Sequence, residues 1–244
     1  MQYSRDTNGP RQSPIGVLML DSQFPRIRGD IGNPETWPFP VLYRVVAGAS
    51  PTRAVEQNPR ALLAPFIEAG QDLVAQGCCG IVTTCGFLTL LQDELRAALD
   101  VPVATSSLMQ FSMVQALLPI NQRPGILTIS QPALTPAHLQ AAGVPAGTHV
   151  VGTEGGRSFT RDILGDQPSL SLEDCRLDML DAAQRLVNTD PQLGAIILEC
   201  TNMAPYAAEI AEETGLPVFS VVTLVHWLHA GLIPQRFQGN PPAS

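Results

Sequence analysis

The sequence contains no lysine: all 14 of its basic residues other than histidine are arginines. A pyridoxal phosphate enzyme holds its cofactor as a Schiff base on a lysine, and a Walker A phosphate-binding loop also requires one. The absence of lysine therefore excludes both classes. The four histidines show no spacing typical of metal ligands, so we expect neither a cofactor nor a metal.

Long apolar runs and positive charge are also scarce. No apolar stretch reaches the roughly 18 residues needed to cross a bilayer, and the polar N-terminus lacks a signal-peptide pattern. The net charge of −8 argues against a nucleic-acid-binding surface, which needs a basic face. The odd number of cysteines favours reduced thiols. We expect a cytoplasmic homodimer with no membrane or nucleic-acid partner.

An internal repeat organises the sequence. One apolar run leads to Cys85 and a second leads to Cys200, and each is followed at once by a helical pattern. The same offset that separates these cysteines also separates Pro102 from Pro217. Matched landmarks in one register indicate a duplication with one cysteine at the same place in each half.

Apolar runs and helical patterns alternate along both halves, which predicts parallel sheets with helices on both faces. The two cysteines should each end a strand and begin a helix, and we place these helices over 87–99 and 203–213. The connection 23–40 is rich in proline and carries Arg26 and Asp30. A loop this long is typically functional or disordered, and we favour an ordered lid or binding loop.

Cysteine is the residue on which the predicted chemistry depends. Ligands of open α/β sheets bind at the carboxyl ends of strands, where Cys85 and Cys200 are expected. A helix N-terminus offers free N–H groups and partial positive charge, which should favour a thiolate. If the two halves face each other, one thiol stands on each side of a cleft. Such a pair can remove a proton from one face of a carbon and return one to the other face.

The motifs around these cysteines resemble those of the aspartate/glutamate racemase superfamily, which includes hydantoin racemases, maleate isomerases and arylmalonate decarboxylases. The resemblance covers nearly the whole chain. It is carried by Asp21-Ser22, Thr84-Cys85-Gly86, the segment 130–135 and Glu199-Cys200-Thr201-Asn202. The segments Cys85-Gly86-Phe87 and Cys200-Thr201-Asn202 differ from the Cys-Asn-Thr and Cys-Thr-His that amino-acid racemases commonly show.

The resemblance implies an α/β fold of two pseudo-symmetric Rossmann-like lobes. Each lobe would be a four-stranded parallel sheet flanked by helices, with the active site in the cleft between them. It also implies two exchanged helices, so that the first lobe comprises residues 1–105 and 221–244 and the second comprises residues 106–220.

We expect catalysis from Cys85 and Cys200, and substrate binding from residues that follow strands or lie near the cysteines. These are Asp21, Ser22, Arg26, Thr84, Gly86, Phe87, Ser130, Thr201 and Asn202.

The leading functional hypothesis is a cofactor-independent racemase or epimerase that inverts the α-carbon of a small carboxylate compound, such as aspartate or glutamate. One alternative is a cis–trans isomerase of the maleate type, in which a cysteine adds to a double bond as a nucleophile. Another is a protein that binds a carboxylate or senses thiol chemistry without turnover.

Overall fold

Two four-stranded parallel sheets form the centre of the protein, whose structure is a computed structural model that describes residues 13–57 and 59–235. The strands of the first sheet are β1 (Ile15–Leu20), β2 (Val41–Val46), β3 (Gly80–Thr83) and β4 (Val103–Ala104). Those of the second are β5 (Arg123–Thr128), β6 (Val150–Gly152), β7 (Leu193–Leu198) and β8 (Val218–Phe219).

The two sheets share one topology, β2-β1-β3-β4 in the first and β6-β5-β7-β8 in the second. All pairings are parallel, and the central strands are almost wholly buried apolar segments, as strands covered on both faces must be. The predicted α/β fold of two similar four-stranded lobes is confirmed. Residues 1–12, 58 and 236–244 lie outside the described residues, so the outer limits of the predicted lobes do too.

Helices lie on both faces of each sheet. In the described residues they are α1 (Pro51–Val55), α2 (Leu63–Ala75), α3 (Gln92–Ala98), α4 (Phe111–Leu117), α5 (Pro136–Ala141), α6 (Phe159–Leu164), α7 (Leu172–Thr189), α8 (Ala207–Thr214) and α9 (Val221–Leu232). Short 3-10 helices cover Pro34–Thr36, Pro59–Leu62, Gly86–Leu91, Ser107–Gln110 and Thr201–Tyr206. None of these helices is long and apolar enough to cross a membrane.

Two helices pack against the sheet of the other half of the chain. Helix α9 follows the second sheet but contacts β3, and its Leu224 and Val225 join a buried cluster with Ile15 and Val17 of the first sheet. Helix α4 follows the first sheet and contacts β5. These crossings tie the two lobes together, although the exact division of the chain into lobes stays a prediction.

The segments after the two cysteines differ from the α-helices predicted over 87–99 and 203–213. Each begins as a 3-10 helix, Gly86–Leu91 or Thr201–Tyr206, before α3 or α8 starts. Pro205 lies inside the second 3-10 helix and has no N–H to donate, so an α-helix over this segment would lack one of its hydrogen bonds. The result is a tight turn of backbone directly after each cysteine.

Candidate active site

A small cavity of about 20 Å³ lies where the carboxyl ends of β1, β3, β5 and β7 meet. Its lining is mainly apolar, and the apolar side chains include two aromatic rings, Phe24 and Phe87. The polar residues of the lining are Thr84, Cys85, Glu199, Cys200 and Asn202. No arginine or histidine is among the described residues that line it.

Cys85 and Cys200 both line this cavity, and each belongs to a different sheet. Cys85 follows β3 and precedes the 3-10 helix Gly86–Leu91, and Cys200 follows β7 in the matching position. Each residue is only 7% exposed. The duplicated cysteines predicted from the sequence therefore converge on one enclosed volume.

The thiols are neutral in this closed structure. Burial, together with the negative charge of Glu199, raises the pKa of Cys85 to about 12, although the N–H groups of Phe87 and Leu88 act in the opposite direction. The same causes raise the pKa of Cys200 well above its usual value. The expectation that helix N-termini would favour thiolates is therefore wrong for this state, because desolvation outweighs the backbone amides.

Glu199 is an ionisable residue that we had not expected in the site. It directly follows β7 and is fully buried. Its Oε2 accepts a hydrogen bond from the hydroxyl of Thr128 at 2.8 Å, while Oε1 has no partner. Burial raises the pKa of Glu199 to about 8. An acidic residue at the end of an otherwise apolar strand was the sequence signal that could have identified it.

The loop 23–40 is ordered, as predicted, and Asp30 anchors it to the second lobe through Asn202. Asp30, which is 2% exposed, accepts hydrogen bonds from Arg26 at 3.0 Å and from the amide of Asn202 at 2.5 Å. Arg26 also lies over the ring of Phe24, 4.7 Å from its centre. The loop thereby positions Phe24, which lines the cavity, and Asn202, which lies two residues after Cys200.

The remaining sequence-predicted residues divide into two groups. Thr84, Gly86, Phe87 and Asn202 line the cavity with the cysteines. The others do not line it: Asp21, Ser22, Arg26, Ser130 and Thr201.

The residues outside the lining have other contacts in the structure. The carboxylate of Asp21 accepts a hydrogen bond from the N–H of Gly48. Ser22 accepts one from Arg26, and Thr201 donates one to the carbonyl of Thr84 at 2.8 Å. The last contact joins the two lobes beside the cysteines. Roles in substrate binding stay predictions for all of these residues.

Two short helices that we did not predict close the cavity. Val55 of α1 comes from the first half and Ile163 of α6 from the second, and both line it. The hydroxyl of Thr52 donates a hydrogen bond to the carbonyl of Leu164 at 2.9 Å, which joins the two helices. We call α1 and α6 together the roof of the cavity.

Metal chemistry finds no support in the described part of the chain, where no group of histidine, cysteine, aspartate or glutamate residues is arranged to hold an ion. All five cysteines are free, and Cys78, Cys79 and Cys175 do not line the cavity.

Curated relatives are similar to the chain over most of its length. Dimethylsulfoniopropionate lyase 7 of Emiliania huxleyi is 29% identical over 228 residues, which cover 90% of this chain and 67% of that protein. Dimethylsulfoniopropionate lyase of Durusdinium sp. clade D is 26% identical, covering 91% and 76%. The chain spans only 47% of dimethylsulfoniopropionate lyase 5 of Emiliania huxleyi, with 27% identity.

Solved structures share the fold at much lower identity. Arylmalonate decarboxylase superposes with a TM-score of 0.60 and 14% identity, covering 93% of this chain and 96% of that one. A glutamate racemase from Bacillus anthracis gives a TM-score of 0.56 and 16% identity, covering 91% and 84%. The family model described as Asp/Glu/hydantoin racemase matches residues 43–228, which is most of the sequence. The chain belongs to the Asp/Glu/hydantoin racemase family.

Proposed function

We propose that the protein is a cofactor-independent lyase that removes a proton from the carbon next to a carboxylate and expels a substituent from the following carbon. The observation that carries the proposal is the convergence of Cys85 and Cys200, from different lobes, on one closed cavity. One thiol, once ionised, serves as the base, and the other lies across the cavity.

The character of the cavity favours a substrate that brings its own positive charge. Both thiols are buried with raised pKa values, and no cationic side chain lies in the described lining to stabilise a thiolate. A cationic substrate supplies that stabilisation when it binds. The rings of Phe24 and Phe87 offer faces suited to a sulfonium or similar onium group.

Dimethylsulfoniopropionate combines a carboxylate with a sulfonium, and lyases named for it are similar to this chain over nine-tenths of its length. We therefore propose it, or a closely similar β-sulfonio carboxylate, as the substrate. The thiolate takes a proton from C2, and the electron pair of that C–H bond forms the C2=C3 double bond. The C3–S pair leaves with sulfur, giving dimethyl sulfide and acrylate, and the thiol then returns its proton to solvent.

Racemisation of a chiral carboxylate is the second candidate. The matched positions of the two thiols after β3 and β7 favour it, because inversion needs one group on each face of the carbon. It uses the same first step, removal of the α-proton, and differs in what the intermediate does next. The cis–trans isomerase and the non-catalytic binding protein remain alternatives with distinct outcomes in the test.

The test measures the products that the protein forms from dimethylsulfoniopropionate, and separately the deuterium that enters chiral amino acids and hydantoins in deuterated water. We expect dimethyl sulfide and acrylate in equal amounts. At least one of the variants Cys85→Ser and Cys200→Ser should lower kcat/KM by about 100-fold or more, because a serine hydroxyl ionises far less readily than a thiol and so cannot supply the base. The matched control is Cys79→Ser, whose thiol lies away from the cavity and contacts the carbonyls of Ser13 and Pro14.

Near-wild-type elimination by both active-site variants would exclude the thiol mechanism. Exchange at the α-carbon with loss of chirality and no elimination would establish racemisation instead. A thioether adduct with an unsaturated dicarboxylate, detected by mass spectrometry, would support the cis–trans isomerase. Ligand binding without deuterium exchange and without product would support the hypothesis of a non-catalytic binding protein.

A further inference from the structure

Glu199 lines the cavity and has one buried side-chain oxygen, Oε1, without a hydrogen-bond partner. Thr89, His149 and Glu199 each have a buried side-chain atom that lacks a hydrogen-bond partner in the described residues, and of the three only Glu199 lines the cavity. Other polar side chains of the lining do have hydrogen bonds. Thr84 accepts a hydrogen bond from the N–H of Leu20 at 2.9 Å.

Asn202 has partners as well, since its amide group donates to Asp30 and its carbonyl oxygen accepts from the thiol of Cys200 at 3.6 Å. A buried polar atom without a partner is costly in a folded protein, and such atoms typically meet a ligand or water. Oε1 of Glu199 is therefore the buried polar atom of a lining residue that most needs a ligand as its partner.

We propose that Glu199 is a substrate-binding residue of this site: as a neutral carboxylic acid, it donates a hydrogen bond from Oε1 to a carboxylate oxygen of the bound substrate. This assignment rests on the proposed function to the extent that it takes the ligand to be a carboxylate.

The hydrogen bonds of Glu199 determine which oxygen carries the proton. Oε2 accepts a hydrogen bond from the hydroxyl of Thr128 at 2.8 Å. Oε1 has no donor beside it and is free to hold a hydrogen. A carboxyl group kept neutral by an apolar site can act as a hydrogen-bond donor near neutral pH, as is known in other enzymes.

The charges around Glu199 favour the neutral form. It makes no ion pair with any residue that the structure describes. The titratable groups that face it are the thiols of Cys85 and Cys200, whose own pKa values are raised. Arg26, whose charge acts on Cys85, is paired with Asp30. Burial thus raises the pKa of Glu199 to about 8 without a compensating charge.

Gly86 from the first lobe completes the geometry. A Cβ atom at this position would clash with Oε1 and with the backbone carbonyl of Glu199. Glycine therefore lets the carboxyl lie across the junction of the lobes, directly beside Cys85. A substrate carboxylate bound there would place its α-carbon within the part of the cavity that both thiols line.

The experiment measures the dissociation constant of propionate, an unreactive carboxylate, by calorimetry between pH 6 and 10. In the wild type we expect affinity to be constant below pH 8 and to fall about tenfold per pH unit above it, because the ionised carboxyl repels the anion and has lost its donor. Glu199→Gln keeps a donor and has no charge, so its affinity should not depend on pH in this range. Cys79→Ser, whose thiol lies away from the cavity, is the matched control and should behave like the wild type.

Infrared difference spectra of the wild type supply a readout that needs no variant. A protonated carboxyl band should be present at pH 6.5, shift when propionate binds and disappear on titration through pH 8. Three results would overturn the proposal: no propionate binding at any pH, the wild-type pH dependence retained in Glu199→Gln, or affinity for trimethylsulfonium that rises with pH and is lost in that variant. The last would make Glu199 an ionised partner of a cation.

None of these measurements needs turnover. If the protein binds propionate as described but eliminates nothing, the role assigned to Glu199 stands and the proposed lyase function is wrong. If the Glu199→Gln variant eliminates at the wild-type rate and its propionate binding keeps the wild-type pH dependence, the role assigned to Glu199 is wrong, whereas the proposed lyase function stands.

Discussion

Glu199 couples the stability of the fold to pH. Its carboxyl has an ordinary pKa near 4.5 in the unfolded chain and about 8 in the folded protein. Because the folded value is raised, the stability associated with the neutral group is complete below pH 4.5 and is lost as pH rises toward 8. Each pH unit in that window lowers the free energy of unfolding by about 1.4 kcal/mol.

Glu199→Gln should therefore be more stable than the wild type at pH 8, by a few kcal/mol. The difference should disappear toward pH 4.5, where the wild-type carboxyl is neutral in both states. Urea unfolding at pH 4.5, 6 and 8 measures it. The control is Glu212→Gln on the exposed face of α8, which should not change the pH dependence. Equal pH dependence in all three proteins would contradict the raised pKa.

At the residue scale the sequence predicted both cysteines of the site but not their protonation. Position after an apolar strand is local information, and the repeat made it specific to Cys85 and Cys200. Burial depends on how two lobes and the roof close around the thiols, which no local pattern contains. Asp21 and Ser130 illustrate the same limit: both follow strands, yet neither lines the cavity.

The loop 23–40 is the element whose contacts reach from one lobe to the other. Its start is fixed by Asp166, whose carboxylate accepts hydrogen bonds from the N–H groups of Gln23 and Phe24 at 2.6 and 3.3 Å. Its middle is fixed by Asp30, through Arg26 and Asn202. The loop is therefore a bridge between lobes and not a surface insertion.

Asp30→Asn should loosen this bridge. It leaves the guanidinium of Arg26, only 10% exposed, without its ionic partner, which should cost about 3 kcal/mol of unfolding free energy. Alkylation of Cys200 should become faster, because the contact of Asp30 with Asn202 is weakened. Chemical denaturation and mass-spectrometric labelling measure the two effects.

Asp72→Asn is the matched control for this prediction. Asp72 pairs with Arg44 on the surface, where both side chains are about half exposed, so its loss should cost under about 1 kcal/mol. Equal costs for the two variants, with unchanged labelling of Cys200, would show that the buried pair does not hold the loop.

The elements that the sequence failed to predict are short. Helices α1 and α6 span five and six residues, too few for apolar periodicity to identify them. The 3-10 helices after the cysteines were misassigned as α-helix because their apolar spacing continues into α3 and α8. The long strands and α7, with its Ser171 cap, followed the pattern closely.

On the scale of the whole molecule, the exchanged helix α9 makes the stability of the first lobe depend on a segment at the far end of the sequence. Leu224, 4% exposed, packs in the cluster with Ile15 and Val17. Leu224→Ala should cost about 2–4 kcal/mol. Hydrogen exchange should show β1 and β3 losing protection before β5 and β7.

Leu117→Ala is the control for this prediction, since Leu117 of the other exchanged helix is 72% exposed and its loss should be nearly neutral. Earlier loss of protection in the second sheet would mean that α9 stabilises its own half. That outcome would also contradict the lobe boundaries expected from the family resemblance.

The architecture of the whole chain was predictable because the duplication presents the same sequence patterns in both halves. Alternating apolar strands and helical segments determined the fold class, and the matched cysteines located the cleft. The function was predicted less finely: the family is a racemase family, whereas the similar curated proteins are named lyases. Racemisation and elimination both begin with removal of the α-proton, and the residues near the thiols do not by themselves distinguish the two reactions.

The roof has one further consequence, for the timing of turnover. Since α1 and α6 come from different halves of the chain, a movement of one half relative to the other would open the cavity. The seal includes the single bond from Thr52 to Leu164, weak enough to break and remake in every cycle. We therefore expect residues at the lobe junction to change the rate of ligand exchange without contacting the ligand.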